Sequence, residues 1–226
     1  KRDCILNKNF TNLYNKFCPG PLTFILKLKK DSKISKFVTN KKKTLAVRFP
    51  SHPKAKGLLK ILNYPLAAPS ANISSRVSPV TKNHVKEEFG KKIKYIIEGG
   101  RSKIGLESTI INLTGKPEIL RIGSIDINKL SKALKKKLLY RKKTFMKVPG
   151  QNRLHYSPGI PLRMNCKEAS LDEAFILVKK RNNSNKNFFY LSKNKNLKEA
   201  ARNLYSVLRM IKKKGYKKIA VEKIEN

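Results

Sequence analysis

Apolar residues at 10, 13, 14 and 17 recur at helical spacing and stop at Cys18-Pro-Gly-Pro21, which predicts a helix over 10–17 closed by a rigid turn. Leu22 to Leu28 alternates and is rich in Phe, Ile and Leu, so a strand follows. A polar, basic connection over 29–43 leads to Thr44-Leu-Ala-Val-Arg-Phe49, read as a short buried strand closed by Pro50. Further helices are expected over 53–62, 80–89 and 127–139, and strands over 66–68, 95–97, 108–113 and 118–122. That order predicts a mixed α/β sheet with flanking helices.

The pattern then breaks. Residues 140–161 hold Pro149-Gly150, Pro158-Gly159 and Pro161 without apolar periodicity, the composition of a linker. Beyond it come a strand at 162–164, a helix at 171–180, a strand at 188–191, a helix at 197–212 and a strand at 218–221. Alternation of this kind argues for a small parallel-sheet domain of Rossmann-like character. The chain is therefore divided into a first domain over 1–139, a linker or lid over 140–161 and a second domain over 162–226. It opens on Lys1-Arg2 without Met and stops directly after a strand, so it is expected to be cut from a longer protein at both ends.

Charge changes this picture less than its size suggests. The formal charge of +39 points toward polyanions. Yet only 11 of the 53 basic residues are Arg, and the lysines scatter among 20 asparagines, which suits a solvated lysine-rich surface better than base readout. Cys4, Cys18 and Cys166 are odd in number and have no metal spacing; reduced thiols and a cytoplasmic setting are expected. His52, His84 and His155 are isolated, so no metal site is expected. No apolar run is long enough to span a membrane, and no Walker or G-x-G-x-x-G pattern is present.

Candidate chemistry concentrates in Pro65-Leu-Ala-Ala-Pro-Ser-Ala-Asn-Ile-Ser-Ser-Arg-Val-Ser-Pro79. Ser70, Asn72, Ser74, Ser75 and Ser78 are short polar groups that build no core and suit an anionic ligand such as a nucleotide. The prolines hold the backbone extended around them. Four segments in order, Pro19-Gly-Pro-Leu-Thr23, Thr44-Leu-Ala-Val-Arg48, Pro69-Ser-Ala-Asn72 with Ser78, and Gly105-Leu-Glu-Ser-Thr109 followed by Arg121, resemble the YrdC/Sua5 family of threonylcarbamoyl-AMP synthases. The segment Pro149-Gly-Gln-Asn-Arg-Leu-His-Tyr-Ser-Pro158 resembles the linker of the two-domain Sua5 branch.

The resemblance implies a YrdC-like fold and the formation of L-threonylcarbamoyladenylate and pyrophosphate from L-threonine, bicarbonate and ATP, with Mg2+ accompanying ATP. The product would serve N6-threonylcarbamoyladenosine modification of tRNA, finished by a downstream threonylcarbamoyl-transfer complex. It places Arg48 on the threonine carboxylate, where a planar fork matches a carboxylate in two-point contact, with Ala68 and Ser108 completing that pocket. Thr44, Ser70, Ser78 and Tyr156 fall at nucleotide-binding positions, and Arg121 falls against the phosphates. Ser108 and Arg121 are the catalytic candidates. Asn72 either braces its loop or contacts phosphate, and His155 stands beside Tyr156 as a possible contact. Thr23 can serve structure alone, and Glu107 is read as an ion-pair partner in preference to a metal ligand. The family's Lys-x-Arg triphosphate motif would precede residue 1, so no residue of this sequence is given that role. The resemblance also implies double-stranded RNA binding, and the rival reading is a YrdC-like protein that binds RNA without catalysis.

Overall fold

The computed structural model describes residues 2–140, 156–182 and 185–224. Two compact units form, and they do not follow chain order: Lys1–Pro69 joins Glu107–Gln151, and Ser70–Leu106 joins Asn152–Asn226. Each unit is built on its own four-stranded sheet.

The first sheet has the order β2-β1-β3-β4, from β1 (Leu22–Lys27), β2 (Thr44–Arg48), β3 (Thr109–Asn112) and β4 (Glu118–Arg121). β1 pairs antiparallel with β2 and parallel with β3, and β3 pairs antiparallel with β4, so the sheet is mixed. Period-two alternation sends Leu22, Phe24 and Leu26 to one face, where they meet Phe10 and Leu13 of α1 (Lys8–Phe17) and Leu130 and Leu134 of α5 (Ile127–Leu134). Each such side chain, moved out of water, contributes about 1.5–3 kcal/mol. Asn7 starts α1 by accepting from the Phe10 amide at 2.9 Å, while its Nδ2 donates to the Leu113 carbonyl. The opposite face carries Thr23 and Ile25, and Ile25 packs with Ile110 and Leu120.

The second sheet is wholly parallel, in the order β5-β8-β6-β7, from β5 (Leu162–Cys166), β6 (Ala174–Lys179), β7 (Phe188–Ser192) and β8 (Ile219–Glu222). Helix α6 (Leu197–Lys213) covers one face: Tyr205, Leu208 and Ile211 pack with Ile176, Val178, Ile219 and Val221. Val77 and Val80, at the end of the serine-rich segment, join that same core. Both are followed by α4 (Lys82–Phe89), which Thr81 caps by accepting from the His84 amide.

Several expectations are corrected. The stretch 171–180 contains the strand β6 and no helix. Ala174, Ile176 and Val178 face α6 while Phe175 and Leu177 face a second apolar cluster, so both faces are buried and no alternation remains to mark a strand. Residues 44–48 form an edge strand that is half-buried at most, with Ala46 and Arg48 exposed. Residues 66–68 are irregular and exposed, because Pro65 and Pro69 on either side favour an extended backbone and remove ladder donors. Residues 95–97 pair with no strand; Tyr95 and Ile97 are exposed. The basic connection holds one short helix, α2 (Lys36–Thr39), and the 53–62 helix is α3 (Pro53–Ile61).

Candidate active site

In the first unit, Ser108 is the meeting point. It precedes β3 and is buried, and its hydroxyl lies 2.8 Å from the Thr23 hydroxyl on β1. Arg121, the last residue of β4, wraps the same residue: Nε and Nη2 donate to the Ser108 carbonyl at 3.0 and 2.9 Å, and Nη2 reaches its Oγ at 3.0 Å. Glu107 Oε2 stands 3.9 Å from Arg121 Nη2, the ion pair read from the sequence. Two strands and the residue that enters a third therefore contribute one polar group each to a single point.

Arg48 belongs to the same face. It is the register partner of Thr23 across the antiparallel β1–β2 pair, and directly opposed residues project to one side of a sheet. Its side chain is exposed and makes no ion pair or hydrogen bond with any described residue. Thr44 shares that face but sits at the other end of β2, roughly 13 Å of strand away. Ala68 is exposed on the irregular segment that follows α3.

The backbone around Ser108 is fixed by residues to which the sequence reading gave no role. Thr109, fully buried, donates through its hydroxyl to the Ile125 carbonyl and accepts from the Ile125 amide. The Ser124 amide donates to the Glu107 carbonyl at 3.0 Å. Gly123 lies so close that an added Cβ would stand 2.5 Å from the backbone of Glu107, Ser108 and Thr109. Gly123→Ala must push these strands apart, and a loss of about 1–3 kcal/mol in unfolding free energy is expected, measured by denaturant titration. A glycine just past a strand-end arginine reads in sequence as an ordinary turn, so its role was not legible.

Cys18 adjoins the Pro19-Gly-Pro21 turn, and burial pushes its thiol up to about 11, which leaves it protonated and a poor nucleophile. All three cysteines are free.

The second unit holds the remaining candidates. Ser70 is exposed and Ser78 is buried. Asn72 braces its loop: Nδ2 donates to the carbonyls of Ile73 and Arg76 at 3.0 and 3.1 Å, while Oδ1 is buried without a hydrogen-bond partner. Ser75 adopts a left-handed backbone and its carbonyl accepts from the Ser157 amide at 2.9 Å. The ring of Tyr156 stacks on Tyr205 of α6, with centroids 5.8 Å apart. His155 lies outside the described residues.

No group of three or more His, Cys, Asp or Glu side chains suited to a metal occurs among the described residues, and none of their helices is long and apolar enough to cross a membrane.

A family profile described as "Telomere recombination", covering the Sua5, YciO and YrdC proteins, matches residues 1–123. A second, described as the C-terminal domain of threonylcarbamoyl-AMP synthase, matches 122–226. The chain is 39% identical over 167 residues to the threonylcarbamoyl-AMP synthase of Schizosaccharomyces pombe, which is 68% of this chain and 41% of that protein. It is also 39% identical over 153 residues to the Pyrococcus abyssi enzyme of that name, 65% of this chain and 44% of the relative. These matches span less than half of either relative's length. The crystal structure of P. abyssi Sua5 complexed with L-threonine superimposes with a TM-score of 0.86 at 29% identity, covering 98% of this chain and 70% of that one. With both profiles matched in order and the four motifs placed as described, the chain belongs to the Sua5/YciO/YrdC family and is of its two-domain type.

Proposed function

We propose that this chain carries threonylcarbamoyl-AMP synthase chemistry, joining L-threonine, bicarbonate and ATP into L-threonylcarbamoyladenylate and pyrophosphate. The observation that carries the reading is the convergence of Thr23, Ser108 and Arg121 on the sheet face that also presents Arg48. The threonine amine and bicarbonate give a carbamate and water. A carbamate oxygen then attacks the α-phosphate, and pyrophosphate leaves. Such a reaction needs positioning and charge neutralisation more than a protein nucleophile.

In this reading Arg48 binds the threonine carboxylate, an exposed guanidinium with no partner among the described residues being ready for a ligand. Ser108 orients the substrate, and Ala68 offers a small side chain beside it. Arg121 neutralises charge as pyrophosphate departs. Thr44, Ser70, Ser78 and Tyr156 hold the nucleotide, with His155 as a further contact. The bracing bonds of Asn72 leave both its donors occupied, so its part is to shape the loop. Mg2+ would arrive on the triphosphate, because the acidic group described at the cluster, Glu107, faces Arg121. The adenylate would pass to tRNA modification in the cytoplasm.

The test is pyrophosphate release by the full-length protein given ATP, bicarbonate and L-threonine. Release that ceases when threonine is withheld supports the assignment; nucleotide turnover indifferent to threonine refutes it. One feature favours a second reading, RNA binding: an open groove of about 510 Å³ lined by Lys82, Lys86, Lys91, Lys94 and Tyr95. Lysines on a groove supply phosphate contacts without base specificity.

A further inference from the structure

Helix α6 and the serine-rich loop belong to the same unit, and α6 holds the loop at two points. Glu88 of α4 is the intermediary, with a side chain only 5% exposed. Its Oε1 accepts from the Ile73 amide at 3.1 Å and stands 3.7 Å from Arg76 Nη1. Its Oε2 accepts from Arg209 Nη1 and Nη2 of α6, both at 3.2 Å. Arg209 Nη2 also donates to the Val77 carbonyl. The loop is thus held at residues 73 and 77, on both sides of Ser74 and Ser75 and one residue before Ser78.

Other contacts from α6 share this direction. Arg101 Nη2 reaches the Arg202 carbonyl, Asn203 Oδ1 and Ser206 Oγ. Gly105, with φ +78, lies against the Arg202 backbone so tightly that a Cβ would stand 2.6 Å from its Cα. A paired, desolvated guanidinium–carboxylate contact of this sort fixes geometry sharply, because without Arg209 the buried carboxylate would keep only the longer 3.7 Å pair to the exposed Arg76.

We propose that Arg209, acting through Glu88, is a positioning residue for the serine-rich loop, so that helix α6 sets nucleotide affinity and leaves threonine affinity alone. The inference rests on the assignment of Ser70 and Ser78 to the nucleotide. Arg209 touches no reacting atom in this account. It holds the backbone from which the hydroxyls project.

Two readouts on the full-length protein test it. Native-state hydrogen exchange without ligand should show the Ile73 amide exchanging about tenfold faster in Arg209→Ala, with β3 and β8 amides unchanged. The KM for ATP should rise about tenfold while the KM for threonine stays within about twofold. Arg209→Lys, which keeps the charge but loses the fork, should fall between wild type and alanine in both, and it serves alone if the alanine variant does not fold. Adding Glu88→Gln to Arg209→Ala should recover part of the ATP affinity, since a buried carboxylate left with only the longer Arg76 pair is then neutralised. Equal shifts in both KM values, faster exchange throughout α6 and β8, or an unchanged Ile73 amide would each overturn the proposal. If the wild type releases no threonine-dependent pyrophosphate, the proposed activity fails, and the exchange rates still decide whether Arg209 holds the loop.

Discussion

Arg121→Ala is expected to slow threonine-dependent pyrophosphate release about 100- to 1,000-fold at saturating substrates, the scale for removing a fixed donor aimed at developing charge. The side chain is only 13% exposed, so its charge acts in a partly desolvated setting. Three hydrogen bonds to Ser108 hold the guanidinium in one orientation before any substrate arrives. Lysine should not rescue the rate, because an ammonium cannot grip the Ser108 carbonyl through two nitrogens at once. The rate constant from single-turnover kinetics checks this. Thermal unfolding must be followed alongside, since the Ser108 carbonyl loses its partners in the variant. A variant that folds as stably as wild type and retains more than a tenth of the rate would remove Arg121 from the chemistry.

Arg48→Ala should act differently. We expect the KM for threonine to rise about 10- to 100-fold, the loss expected of a two-point charged contact, with the KM for ATP moving less than about threefold. Stability should change by no more than about 0.5 kcal/mol, because the residue is exposed on an edge strand and its side chain is paired with no described residue. This separation is the useful feature: on the proposed reading Arg121 would serve site and scaffold together, whereas Arg48, paired with no described residue, would serve a ligand only. Parallel increases in both KM values would take Arg48 off the threonine carboxylate.

Legibility in the sequence followed locality. Helix α1 was readable because its apolar spacing runs directly into its Pro-Gly-Pro stop, whereas the Asn7 cap that starts it was not read. β1, β3 and β4 were readable because one run of apolar residues defines each. β6 was misread for a physical reason: a central parallel strand buried on both faces has lost the alternation that distinguishes strand from helix. The burial of β2 was overestimated because Leu45, Ala46 and Val47 are apolar, whereas its position at the sheet edge is a property of topology.

The site divides along the same line. Arg48, Ser108 and Arg121 could be singled out from motifs, and the bonds among Thr23, Ser108 and Arg121 are what the structure adds. Thr23 could only be called a turn residue until its hydroxyl was seen 2.8 Å from Ser108, 85 positions away. The Glu88–Arg209 fork spans 121 positions, and no local pattern marks either residue. Its discovery needed the fold. The grouping of segment 70–106 with the C-terminal residues has the same origin, since Val77 and Val80 look like any loop-end valines until they are found in the α6 core.

The central claim is that the face bearing Thr23, Arg48, Ser108 and Arg121 recognises threonine through its carboxylate. The most direct measurement is calorimetric titration of wild type and Arg48→Ala with L-threonine and with L-threoninamide, which lacks the carboxylate charge. The account predicts that wild type prefers the acid by at least about tenfold and that the variant loses this preference. A preference of the same size in both proteins would contradict it.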